Sequence, residues 1–331
     1  RHMQEWRLQG SGVPSQDYVS QAGALPLTRP IRLPACCFRG EPHSEASAGR
    51  YSAVGRSTLE AMAVVRQPAV AGMFYPGRAD ELSRQVSSLL EEARSRPEAK
   101  PSPLVKALIA PHAGYVYSGP TAAIAYAALA PVYDQVVLAG PCHRVGTPFV
   151  ALPGADSFRT PLGDVPVWAD GVAALKDFPG VIESPEVHAR EHSLEVHLPF
   201  IQMVLGHKIP VLPLAVGWSP APVVADILAA ACAAPSTLLV VSSDLSHYLP
   251  YARAREVDQG TLNQITALAP DLVSEQACGV YPVNGLSLWA RQRGLTPRLL
   301  DYRNSGDTAG DRSGVVGYAA VIYQEEVPDA V

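Results

Sequence analysis

The sequence has few charged residues and no excess of basic ones. Only 17% of its 331 residues are charged. The chain has 26 lysines and arginines and 31 aspartates and glutamates, which gives a net charge of -5 with histidine neutral. Proteins that follow a nucleic-acid backbone or an anionic lipid surface use clusters of lysine and arginine, and no such cluster stands out along this chain. The composition therefore favours neither nucleic acid nor a membrane surface as a partner.

Long apolar runs and regularly spaced cysteines are also lacking. No stretch of about 18 or more consecutive apolar residues occurs, so the sequence predicts no membrane-spanning helix. The five cysteines are odd in number and lack the spacing of a disulfide framework, which favours a reducing compartment in which thiols serve as core residues or metal ligands. We therefore predict a cytoplasmic protein.

Hydrophobic residues make up 47% of the chain, enough to bury a sizeable core. Residues 1–61 differ from the rest, because they are rich in glycine, proline and serine and show no sustained helical or strand period. We interpret this segment as a loose extension, either disordered or an artefact of an upstream start, and we discount its Cys36, Cys37 and His43. Residues 62–331 are predicted to form a single α/β domain.

Near-continuous apolar strands alternate with helical patterns along most of the remaining chain. Strands are predicted over 104–110, 135–140 and 237–243, and helices over 80–95 and 120–130. Strands that are apolar on both faces are typical of a parallel sheet between two layers of helices. The predicted fold class is therefore α/β, with a largely parallel or mixed central sheet and helices on both faces.

The three strands just named each end close to a histidine. They run into the sequences PHAGY, PCHRVG and DLSHY, which contain His112, His143 and His247, with Asp244 beside the last. The carboxyl ends of parallel strands meet at one edge of a sheet, so these loops are predicted to converge. Neutral imidazole binds zinc, iron or copper, and a carboxylate or thiolate can complete the ligand set. One such histidine alone is more often a loop residue bonded to backbone, but three at equivalent positions favour a metal site.

The segment REHSLEVHLPFIQMVLG adds two histidines, His192 and His197. Their separation corresponds to about 140° around an ideal helix, so they cannot both bind one metal as an i, i+4 pair does. At most one of them joins the site. His192, next to Glu191 in a predicted loop, is the better candidate for a proton donor or acceptor. The alternative, that His192 and Glu191 brace the following helix, agrees equally well with the sequence.

Two cysteines compete for the role of a thiol in this site. Cys278 lies between a helical pattern and a glycine-containing turn, where a thiol can face a pocket, and Cys142 immediately precedes His143. Cys232 lies in an alanine-rich helix and is predicted to be a core residue. Composition and spacing do not decide between Cys278 and Cys142.

A series of motifs occurs in order along the chain: VAGMFYPG (70–77), APHAGYVYSG (110–119), GPCHRVG (140–146), EHSLEVHLPF (191–200), SSDLSHY (242–248), ACGVYPV (277–283) and SGDTAGDRSGVVGYAA (305–320). Together they resemble the Memo family, whose prokaryotic members are called AmmeMemoRadiSam system protein B. The resemblance covers residues 64–323 and does not extend to residues 1–61. It implies a fold related to the class III extradiol dioxygenases, which use non-haem iron.

The resemblance also implies a metal pocket formed by two histidines and a cysteine. By motif, these residues are His112, His143 and Cys278, so the resemblance favours Cys278 over Cys142. Roles as acid–base or supporting groups beside the metal are implied for three further residues, His192, His247 and Asp244.

The resulting hypothesis is a metal-dependent, dioxygenase-like redox enzyme that contains iron or copper, or else zinc, and acts on a small aromatic or other reduced substrate. A thiolate in place of the dioxygenase carboxylate favours copper(I), zinc or iron(II) and weakens the case for ring cleavage. The alternative is a non-catalytic scaffold that binds a metal or a phosphotyrosine peptide, and a zinc hydrolase is the least favoured reading. The family name further implies association with an AMMECR1-like protein and a radical-SAM protein.

Overall fold

A computed structural model describes residues 63–326 of the chain. The predicted extension with Cys36, Cys37 and His43 lies outside the described residues, so the interpretation of residues 1–61 stays a prediction. The described part contains a nine-stranded sheet, a three-stranded sheet and a set of helices. None of the helices in this part is both long enough and apolar enough to cross a membrane.

Strands and helices alternate along the described chain. The strands are β1 (Val65–Arg66), β2 (Val105–Ala110), β3 (Gln135–Pro141), β4 (Val150–Leu152), β5 (Ser157–Thr160), β6 (Gly163–Pro166), β7 (Val181–Glu183), β8 (Val211–Val216), β9 (Thr237–Ser242), β10 (His247–Leu249), β11 (Thr296–Asn304) and β12 (Val315–Gln324). The α-helices are α1 (Ala79–Arg94), α2 (Tyr115–Ala127), α3 (Ala169–Leu175), α4 (Pro185–Ala189), α5 (Leu198–Leu205), α6 (Ala221–Ala231), α7 (Tyr251–Thr266), α8 (Val280–Gln292) and α9 (Ser305–Thr308). Short 3₁₀ turns, Pro97–Ala99 and Glu195–His197, precede β2 and α5.

The large sheet is mixed and has a parallel centre. Its strands lie in the order β10, β12, β2, β9, β3, β8, β4, β7, and β11 pairs with β12 outside this path. β2, β9, β3 and β8 run parallel to one another, whereas β12 is antiparallel to β2 and β4 is antiparallel to β8. The prediction of a largely parallel or mixed sheet is confirmed.

Helices cover both faces of this sheet. Neighbouring residues on a strand point to opposite faces, and along β2 the side chain of Leu108 packs in one core cluster while that of Ile109 packs in the other. Residues of α1, α2 and α5 belong to the first cluster, and residues of α6, α7 and α8 belong to the second. Because both faces are buried, the central strands need apolar residues at every position, as their sequences have.

Helix α2 begins earlier than the sequence pattern predicts. The helix starts at Tyr115, so Pro120 lies inside it rather than at its first turn. Tyr115 is buried, and its hydroxyl donates to the backbone carbonyl of Val196 at 2.7 Å. The docking of this tyrosine accounts for the extra turn, although an interior proline weakens a helix by removing one N–H donor.

His188 in α4 is expected to make the fold sensitive to acid. Its Nε2–H donates to the carbonyl of Ala151 on β4 at 2.8 Å. Burial lowers the pKa of His188 from 6.5 to about 4, although the bond to Ala151 acts in the opposite direction. A histidine that the fold keeps neutral contributes stability that is complete above its unfolded pKa, and this stability is lost as pH falls from 6.5 towards 4.

We therefore expect His188→Gln to lose less stability on acidification than the wild type. On going from about pH 7 to about pH 5, the wild type should lose roughly 2 kcal/mol more of its free energy of unfolding than His188→Gln does. This value follows because a change of one in pKa corresponds to about 1.4 kcal/mol. Chemical denaturation at the two pH values measures it. His207 is exposed, so His207→Gln should lose as much stability between the two pH values as the wild type does. If His188→Gln lost the same amount as His207→Gln, His188 would not be the source of the acid sensitivity.

Candidate metal centre

The carboxyl ends of three adjacent parallel strands form one edge of the large sheet. β9 lies between β2 and β3, and the chain continues from these strands into His112, Asp244 and His143. His247 is the first residue of β10, which pairs with β12 at the outer side of the sheet. The structure therefore brings the loops after β2, β3 and β9 to the same edge, as the strand-end pattern predicts.

Three imidazoles and one thiol face one another at this edge. One ring nitrogen from each of His112, His143 and His192 lies within 4.8 Å of the other two. The ring centroids of His143 and His192 are 4.6 Å apart, and Cys278 Sγ lies 3.4 Å from His112 Nε2. His112 and His192 are buried, whereas the side chain of His143 is 26% exposed. The cluster is therefore open to solvent on the side of His143.

Glu191 orients His143 and the turn that carries His192. Its buried carboxylate accepts hydrogen bonds from the backbone N–H and from the ring Nδ1 of His143, the latter at 2.9 Å. It also accepts the backbone N–H groups of His192 and Ser193 at 2.8 and 2.9 Å. Burial raises the pKa of Glu191, but its bonds to the neighbouring histidines outweigh this effect and hold the pKa well below its usual range. Because Nδ1 of His143 donates to a carboxylate, Nε2 is left to face the cluster.

Cys278 is held against the end of β9 by backbone contacts. The N–H of Asp244 donates to Cys278 Sγ at 3.3 Å, and the N–H of Cys278 donates to the carbonyl of Asp244 at 3.3 Å. A Cβ atom at the next residue, Gly279, would lie 2.6 Å from Cβ of Ser243 and 2.7 Å from the carbonyl oxygen of Ser242, closer than real Cβ atoms approach. This close approach requires glycine, and it sets the thiol beside the imidazoles.

The side chains of the cluster differ in their affinity for protons. Burial, together with neighbouring histidines, holds the pKa of His112 well below its usual value. Burial and the charge of His143 lower the pKa of His192 to about 3. Burial also acts to lower the pKa of His143, but its bonds to Cys278 and Glu191 outweigh this and raise it to about 10. His112 and His192 are therefore neutral near pH 7, the form in which imidazole binds metals.

Asp244 and His247 lie beside the cluster. One carboxylate oxygen of Asp244 accepts the backbone N–H of His112 at 2.8 Å, and burial raises the pKa of Asp244 to about 7. Burial and the charge of His143 lower the pKa of His247 to about 4. Both side chains thus interact electrostatically with His143.

The structure separates the two histidines of EHSLEVHLPF. His192 joins the cluster and lies in a turn, whereas His197 ends the following 3₁₀ turn and precedes α5. His197 is buried, and its Nε2 lies 2.9 Å from Oγ of Ser242. Only one of the two faces the site, in agreement with the sequence argument, but the reason is an irregular turn rather than angular spacing along one continuous helix.

Sequence reasoning missed Ser242, the last residue of β9. Its hydroxyl oxygen lies 2.6 Å from Nδ1 of His112. One feature of the sequence could have indicated it: Ser242 is a polar residue at the carboxyl end of the strand TLLVVS, in which the four residues between Thr237 and Ser242 are all apolar.

The two remaining cysteines of the described chain pack against the core clusters on the two faces of the sheet. Cys142 packs against the first core cluster, and burial together with the charge of Glu191 raises the pKa of its thiol to about 12. Cys232 is buried in the second core cluster, which confirms its prediction as a core residue.

A family profile and curated relatives both match this chain over most of its length. The family profile described as Memo-like protein matches residues 66–322. A MEMO1 family protein of Methanosarcina barkeri is 35% identical over 275 residues, which cover 78% of this chain and 100% of the relative. A MEMO1 family protein of Aquifex aeolicus is 36% identical over 272 residues, with coverage of 78% and 99%. A crystal structure of an uncharacterized Escherichia coli K12 protein aligns with 66% of this chain and 99% of its own, at 16% identity and a TM-score of 0.44.

Proposed function

Because this chain belongs to the family of Memo-like proteins, we propose that it is a non-haem metal protein with redox, dioxygenase-like activity towards a small reduced substrate. The observation that carries the proposal is the convergence of ring nitrogens from His112, His143 and His192 within 4.8 Å. Cys278 Sγ adds a sulfur donor 3.4 Å from His112 Nε2. The cluster lies outside the carboxyl ends of parallel strands, where α/β folds bind their ligands.

The donor set fits a transition-metal ion. His112 and His143 each use Nδ1 for a hydrogen bond, to Ser242 and Glu191 respectively, so Nε2 of both rings faces the cluster. His143 is protonated near pH 7, and its Nε2 would bind a metal by releasing that proton. A thiolate at Cys278 is a soft donor, and in combination with imidazole it favours copper, zinc or iron over magnesium or calcium. We assign His112, His143 and Cys278 as the ligands of iron or copper, with zinc as the redox-inert alternative.

The bound metal would supply the one-electron and oxygen chemistry that amino-acid side chains lack. The protein would bind and orient the substrate at the exposed side of His143 and exclude water from the buried side. We assign acid–base roles to three side chains beside the metal ligands: His192, which is stacked on His143, His247 and Asp244. In a dioxygenase reaction both atoms of O₂ enter the substrate, which itself supplies the electrons, so no separate reductant is required.

The proposal predicts about one equivalent of iron or copper in untreated protein, and a loss of that metal in His143→Ala. The affinity should fall at least tenfold, because even the residues that only support a ligand contribute about 10–100-fold. Element analysis of the purified proteins measures both. His207→Ala changes an exposed histidine and should retain the wild-type metal content.

Oxygen uptake distinguishes the redox reading from its alternatives. The metal-loaded wild type should consume O₂ with at least one member of a panel of catechols and other reduced aromatic compounds. A metal-loaded protein that is inert with the whole panel would contradict redox activity and favour a non-catalytic scaffold. Zinc in the untreated protein together with hydrolytic activity would favour a hydrolase, and failure to bind any transition metal would contradict the proposal altogether.

A further inference from the structure

The hydroxyl of Ser242 connects two buried histidines at the carboxyl end of β9. His112 Nδ1 lies 2.6 Å from Ser242 Oγ, and His197 Nε2 lies 2.9 Å from the same oxygen. Ser242 Oγ also lies 2.6 Å from the backbone carbonyl oxygen of Ser193. All of these residues are buried, so water does not compete for the hydrogen bonds.

The number of protons in this network permits one arrangement. A serine hydroxyl carries one proton and can accept two hydrogen bonds, whereas a carbonyl oxygen can only accept. The hydroxyl proton of Ser242 therefore goes to the carbonyl of Ser193, and both imidazole nitrogens must donate to Ser242 Oγ. It follows that His112 is protonated on Nδ1, so that its Nε2 lone pair faces Cys278.

Tyr126 completes the network at its far end. With Nε2 donating, a neutral His197 can only accept a hydrogen bond at Nδ1, and the hydroxyl of Tyr126 lies 3.0 Å from that atom. Burial lowers the pKa of His197 to about 3, which keeps its ring neutral. Tyr126 thus donates to His197, and His197 donates to Ser242, so each ring nitrogen of His197 has a partner.

We propose that Ser242, itself oriented by His197, is a positioning residue that holds His112 in the Nδ1–H tautomer and directs the Nε2 lone pair towards the metal. The metal ligation of His112 rests on the proposed function, whereas the tautomer is a property of the metal-free chain. In this tautomer Nε2 needs no proton exchange before it binds a metal, and the bond to Ser242 restricts rotation of the ring.

Nitrogen-15 NMR of histidine-labelled, metal-free protein tests the tautomer directly. We expect a protonated Nδ1 and an unprotonated Nε2 for His112, with its signals assigned by their loss in His112→Gln. In Ser242→Ala the two tautomers of His112 should both be populated, and the affinity for iron(II) or copper(I) should fall about 10–100-fold. Ser287 in α8 is equally buried, so Ser287→Ala is the matched control and should change neither quantity.

Two results would overturn the inference. The first is a wild-type His112 that carries its proton on Nε2; this measurement needs no variant, so it decides the matter even if Ser242→Ala does not fold. The second is wild-type metal affinity in a folded Ser242→Ala protein. If the wild type binds no metal, the proposed function fails, while the tautomer of His112 is still decided by the NMR measurement.

Discussion

Replacing Arg66 with methionine is expected to lower the free energy of unfolding by about 3–5 kcal/mol, the range typical for removal of one partner from a buried ion pair. Arg66 on β1 pairs with Glu195, and the two side chains are 6% and 0% exposed. Without the guanidinium, the carboxylate keeps only the N–H groups of Ala69 and Val70 and the hydroxyl of Tyr75. Neutral donors do not replace the lost hydration of a buried charge, so the folded state becomes less favourable.

The matched comparison is Arg159→Met. Arg159 also pairs with a carboxylate, that of Asp164, but the two side chains are 47% and 38% exposed, so a loss below about 1 kcal/mol is expected. Urea denaturation measures both variants. If Arg66→Met and Arg159→Met lost the same free energy of unfolding, burial of the ion pair would not be the reason that Arg66 stabilises the fold.

Replacing Cys278 with serine is expected to lower the affinity for iron(II) or copper(I) by more than the roughly 10–100-fold that supporting residues contribute. Serine is close to cysteine in shape, so the backbone contacts with Asp244 should persist. The variant nevertheless loses the sulfur atom that lies 3.4 Å from His112 Nε2. A neutral hydroxyl does not replace a soft, negatively charged thiolate as a ligand.

The control for this variant is Cys232→Ser, which changes a cysteine of the second core cluster. It should bind metal as the wild type does, even if the protein becomes somewhat less stable. Competition with a chromophoric chelator measures the affinities of the wild type and both variants. Unchanged affinity in Cys278→Ser would mean that the imidazoles hold the metal without the thiol, and the assignment of Cys278 as a ligand would then be wrong.

The part of the site that depends on the long central strands was predictable from the sequence. β2, β3 and β9 are apolar almost throughout, because helices cover both of their faces, and such strands are easily recognised. Their parallel arrangement then brings the residues after their carboxyl ends together. His112, His143 and Asp244 follow from this argument with no knowledge of side-chain contacts.

The rest of the site depends on contacts that no local pattern reports. Cys278 is 166 positions from His112 and lies next to a helix start, so its place beside the imidazoles follows from packing against β9. Only the resemblance to a family favoured it over Cys142. The sequence analysis did not predict strands β4 to β7, because each has only three or four residues, too few for a period to emerge. β4, β5 and β7 also pair with strands that are distant in the sequence.

The lack of space around Gly279 restricts the amino acid at position 279 and thereby fixes the place of the side chain at position 278. Any larger residue at position 279 would separate the loop from the end of β9 and move the side chain of residue 278 with it. A designer who wishes to alter the metal preference of this site can therefore exchange the donor at position 278, for example for histidine or aspartate, but has no choice of amino acid at position 279.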